Sequence, residues 1–180
     1  SDMGHGGVDQ SDVYNGGDLN PMNANAMLAM GILKGAGADF TRTPGTGGRT
    51  INQKYLNNWD RLKRSTFIYA GTNEELKLQD GNVAYGVAPS GAVAGNGCAG
   101  DWDSNARTPC TAVGYEIYRA AGGTASTADD LLKLGRIKAF TPRNWPKQHN
   151  NHGYSTTGTM FSQMVLPFVT DREQRYFREN

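Results

Sequence analysis

Three groups of side chains have the types and spacing that chemistry needs. Asp101-Trp102-Asp103-Ser104-Asn105 puts oxygen ligands at the first, third and fifth positions, as the opening of a calcium loop does. Ala106 stands where that loop needs its turn glycine, and Ala112 where the bidentate glutamate belongs. The segment reads first as an Asx-rich turn inside the loop between the cysteines, pinned to the domain by Trp102, and second as a weak calcium site completed by carbonyls or distant carboxylates. No other cofactor is expected. His149 and His152 are three residues apart, which on a helix would turn both rings to one metal, but Pro146, Asn150, Asn151 and Gly153 make the segment read as a loop. Trp145, His149, His152 and Tyr154, together with Trp102, are the candidate ligand-binding residues, an aromatic and polar set suited to a glycan.

Cys98 and Cys110 have eleven residues between them in a stretch rich in glycine and asparagine. Neither has a second ligand at zinc spacing, so a disulfide is the expectation. Closing a loop of that size would remove about 3 kcal/mol of unfolded-chain entropy. A disulfide would place the protein in an oxidising compartment: extracellular, at the cell surface or periplasmic.

Familiar catalytic signatures are missing from the sequence: there is no Gly-x-Ser-x-Gly elbow, Walker loop, His-Glu-x-x-His or Cys-x-x-Cys. Gly45-Thr46-Gly47-Gly48 lacks the sixth-position glycine of a dinucleotide fingerprint and reads as a turn. A secreted hydrolase with paired carboxylates stays open, because such pairs have no local signature.

Charge is segregated although the net value is only +1. Residues 1 to 33 carry Asp2, Asp9, Asp12 and Asp18 and no Lys or Arg. Residues 131 to 170 carry Lys133, Arg136, Lys138, Arg143 and Lys147 and no acid. Attraction between these segments would dock an arm within one chain or favour head-to-tail packing between chains. A nucleic acid partner is not expected of a nearly neutral chain.

The chain that carries these residues is 37% apolar, with 24 glycines among 180 residues and 19% charged residues. That length fits one domain, residues 1 to 180, with an extended Gly-rich acidic arm over about residues 1 to 20. The low apolar and charged fractions predict a loop-rich fold with a thin core. No run approaches the roughly 18 apolar residues needed to cross a bilayer.

Met22 to Lys34 reads as a helix that Gly35 stops, and Ile51 to Arg64 as a second, with Ile51, Tyr55, Leu56, Trp59 and Leu62 at three- and four-residue steps. From Ser65 the reading turns to strands: Thr66 to Ala70, Glu75 to Gln79, Asn82 to Val87, Ala112 to Arg119 and Met164 to Thr170. Asp80-Gly81 is a hairpin signal. Leu131 to Phe140 reads as a strand or as a helix capped by Ser126 or Thr127, and Asp171 to Asn180 has no defined form.

The predicted fold class is α+β, with N-terminal helices followed by a small antiparallel sheet and one disulfide loop. That layout is loosely similar to pilin and pseudopilin head domains, an architectural analogy that carries no residue over. The functional expectation is a non-enzymatic subunit of an extracellular or surface assembly such as a filament, appendage or virion component. Its partners would be copies of itself or other protein subunits. A glycan- or ligand-binding module is the alternative, and the secreted hydrolase the third reading.

Overall fold

The structure, a computed structural model, describes residues 18–38, 51–67, 81–83, 86–87, 93–94, 104–123, 126–147 and 155–179. Most of them are helical, so the described part of the fold is all-α and not the α+β arrangement expected. In chain order they are β1 (Asp18–Leu19), α1 (Asn20–Gly35), α2 (Ile51–Phe67), β2 (Gly86–Val87), β3 (Val93–Ala94), α3 (Ser104–Ala120), α4 (Ala128–Arg143), α5 (Ser155–Met164) and α6 (Asp171–Glu179). Single 3-10 turns at Trp145–Lys147 and Leu166–Phe168 follow α4 and α5. Strand pairing among the described residues is confined to three two-residue pieces, antiparallel in the order β1-β2-β3. Asp18 faces Val87 and Gly86 faces Ala94 in that ladder.

The predicted helices α1 and α2 form where expected. Pro21 sits in the first turn of α1, where its missing N–H costs no intrahelical bond. The helix runs through Gly35, and Gly37 takes the left-handed conformation at φ +73°. There the Gly37 N–H donates to the Lys34 carbonyl at 3.0 Å and the Ala38 N–H to the Leu33 carbonyl at 3.1 Å, which closes the helix end. Gly122 ends α3 in the same way, with Gly123 donating to Tyr118 at 3.0 Å.

The expected strand at Ala112 to Arg119 lies inside α3. Its Val, Ile and Tyr residues favour strands intrinsically, but packing overrides that preference. Helix α3 is the central element, packed against α1, α4 and α5. Asn105 and every residue from Arg107 to Glu116 are buried, as is Tyr118. Burial on every side removes the one-sided apolar stripe by which an amphipathic helix is recognised. The expected late strand at Met164 to Thr170 is the end of α5 and a 3-10 turn built around Pro167. Leu131 to Phe140 lies in the helix α4, and Asp171 to Glu179 forms α6. Thr66 belongs to the end of α2; residues 68 to 80, including the expected strand at Glu75 to Gln79, lie outside the described residues.

The main core joins Met27 of α1, Trp59 and Phe67 of α2, Val113, Tyr115 and Tyr118 of α3, and Leu134 and Ile137 of α4. Trp59 stacks on Tyr118 with ring centroids 3.7 Å apart. Helices α1 and α3 meet at a pair of glycines. A Cβ on Gly31 would lie 2.5 Å from the Gly114 carbonyl oxygen, and one on Gly114 would lie 2.7 Å from the Leu28 backbone nitrogen. Two helix backbones in contact leave no room for a side chain at either position.

No disulfide loop organises this fold. Cys110 lies in α3 as a free thiol, buried with Ala24 and Phe161. Cys98 lies outside the described residues. Cys110 Sγ is 4.0 Å from the Asn25 Oδ1, its hydrogen-bond acceptor on α1. Order here comes from helix packing, not from a cross-link.

Candidate functional site

Titratable groups with displaced pKa values mark where a fold has arranged charge, so their location is the first guide to chemistry. Three of them gather where α2, α3 and α4 meet: Lys63, Tyr115 and Asp130. Thr127 caps α4: its side chain accepts the Asp130 N–H at 3.0 Å, and Asp130 Oδ2 accepts the Thr127 N–H at 3.0 Å. The same carboxylate oxygen pairs with Lys63 Nζ at 3.0 Å. One residue further back, Ser126 Oγ accepts the Tyr115 hydroxyl at 2.9 Å.

The directions of the shifts decide what this cluster can do. Burial works against the Lys63 ammonium, but the hydrogen bond and charge of Asp130 outweigh it and hold the pKa above the ordinary lysine value. Burial also works against the Asp130 carboxylate, and the Thr127 N–H and Lys63 together hold its pKa below the usual carboxylate value. Burial pushes the Tyr115 phenol up. Each shift moves its group further from neutrality. Displacements in these directions are those of an ion pair and a buried phenol held in place by their neighbours. The cluster fastens the N-terminus of α4 to α2 and α3.

Other buried polar groups serve the same purpose. Glu116 of α3, 3% exposed, accepts Lys138 of α4 at 2.7 Å on one oxygen and Arg119 at 2.7 and 2.9 Å on the other. Asn20 and Ser65 tie α1 to α2: the Ser65 hydroxyl donates to Asn20 Oδ1 at 2.6 Å, and Asn20 Nδ2 donates to the Ser65 carbonyl at 3.0 Å. Residues 81–83 are fixed by side chains. Arg107 Nε donates to the Val83 carbonyl at 2.6 Å, and Thr108 Oγ1 accepts the Val83 N–H and donates to Asn82 Oδ1, each at 3.2 Å. Gly81, at φ +88°, sits so close to α4 that a Cβ would fall 1.9 Å from the Arg136 carbonyl oxygen.

The surface offers a different feature. Helix α1 turns Asn20, Asn23, Ala24, Met27 and Gly31 inward. Its outward stripe is Met22, Asn25, Ala29, Ile32 and Leu33, all exposed. Met22 is 70% exposed, Ile32 49% and Leu33 51%. No charged residue occurs in α1 before Lys34. A helix in water normally carries charged or polar residues on its outer face, and an apolar outer face is normally covered. Leu131 and Leu132 of α4 are also exposed, but Asp129 and Lys133 form an ion pair at 2.8 Å beside them.

The residues singled out from the sequence are not brought together into one site. Trp145 is half-buried and its ring meets Phe177 of α6 edge-on at 4.1 Å, so it helps to dock α6. Asn105 is buried in the first turn of α3. Asp101, Trp102, Asp103, His149, His152 and Tyr154 lie outside the described residues, as do Asp9 and Asp12. Among the described residues no three His, Cys, Asp or Glu side chains gather as metal ligands. Asp18 lies in β1 and Lys147 in a 3-10 turn. Of the basic residues grouped for assembly, Lys133 is paired with Asp129, and Lys138 with Glu116. Arg136 is half-buried and Arg143 exposed on α4.

Sequence reasoning passed over the outward face of α1, although its signal was legible: fourteen successive positions from Asn20 to Leu33 without a charge. The Lys63–Asp130 pair had only the capping pattern at Thr127 to announce it. No protein-family model, curated protein or solved structure matches this chain.

Proposed function

We propose that this chain is a non-enzymatic subunit of a protein assembly and that copies of it associate through the outward face of α1. The observation that carries the reading is the exposed, uncharged stripe of Met22, Asn25, Ala29, Ile32 and Leu33. A surface that packs on its own copy about a two-fold axis must be complementary to itself. An uncharged stripe meets that condition, because pairing it with itself buries no charge and opposes no like charges. Ala29, near the middle of the stripe, lets a second helix approach closely. The 16-residue helix is about 24 Å long. A contact of that extent is at the small end of specific interfaces.

With Cys110 a free buried thiol, no disulfide points to an oxidising compartment.

Light scattering coupled to size exclusion, run over a wide concentration range, tests the reading. The expected result is a mass that rises with concentration, and a monomer when Ile32→Glu and Leu33→Glu are combined. Circular dichroism of the double variant should match the parent, because both positions are exposed. A parent chain that stays monomeric at high concentration, in low and high salt alike, overturns the proposal.

A further inference from the structure

No further inference is drawn: the strongest candidate, the cluster of Lys63, Tyr115, Ser126 and Asp130 where α2, α3 and α4 meet, belongs to the site already described, and its groups serve to hold one another.

Discussion

At the scale of single residues, burial decides the behaviour of Cys110. It pushes the thiol pKa from 9.0 up to about 12. The thiolate is the reactive form, so Cys110 is expected to resist alkylation in the folded protein and to react once denaturant opens the core. Peptide mapping after iodoacetamide treatment checks this; a native disulfide between Cys98 and Cys110 in that map would refute the placement of Cys110. The same displacement gives stability a pH dependence. In the unfolded chain the thiol ionises from about 9.0, whereas the buried one keeps its proton until about 12, so stability falls as pH rises through that window. Lys63, with its pKa raised above 10.5, adds to the alkaline loss: its contribution is complete below 10.5 and disappears as pH rises through the folded value. Asp130, with its pKa lowered from 3.8, acts at the other end: its contribution is complete above 3.8 and disappears as pH falls through the folded value. Urea midpoints measured against pH should therefore decline at both extremes, and Cys110→Ala should flatten the alkaline decline that begins near 9.0.

At the scale of elements, three substitutions separate intrinsic helix preference from packing. Gly135 lies in α4 with open space where a methyl group would project, nothing being within 4 Å, so Gly135→Ala should stabilise by about 0.5–1 kcal/mol through helix propensity alone. Gly114→Ala gains the same preference, but its Cβ would lie 2.7–2.9 Å from the backbone of Met27 and Leu28. Forcing α1 away from α3 costs about 1–3 kcal/mol and more than cancels the gain. Thermal or urea unfolding of the two variants should move in opposite directions, and a stabilising Gly114→Ala would show that α1 and α3 do not cross there. Thr127→Ala removes one half of the capping box and leaves the Asp130 N–H without its acceptor. A loss of about 0.5–2 kcal/mol in the same unfolding measurement is expected.

At the scale of the whole molecule, two routes to assembly predict opposite responses to salt. Attraction between the acidic residues Asp9, Asp12 and Asp18 and the basic stretch of α4 would weaken as salt screens it. Contact through the α1 stripe would persist, because apolar burial does not depend on charge. Two members of the basic stretch already have carboxylates within the chain, Lys133 on Asp129 and Lys138 on Glu116. Association measured by light scattering is therefore expected to hold from low to high ionic strength. Dissociation on adding salt would transfer the assembly contact from α1 to the charged segments.

Features whose physics is local could be read without coordinates. Helices α1 and α2 were legible because their apolar residues recur at helical steps, whereas the start of α4 was legible only as a choice between strand and helix and between Ser126 and Thr127 as its cap. That Ala112 to Arg119 is helical emerges from its packing. A helix enclosed on all sides has no solvent face to impose a period, so its Val, Ile and Tyr residues resemble a strand until their neighbours are known. The meaning of Gly114, the partner of Lys138 and the free state of Cys110 were likewise settled by chain segments far away in sequence. Gly114 answers to the backbone of α1, Lys138 to Glu116 twenty-two residues earlier, and Cys110 to Asn25 eighty-five residues earlier. Local patterns record what a residue prefers; which of those preferences survives is set by what packs against it.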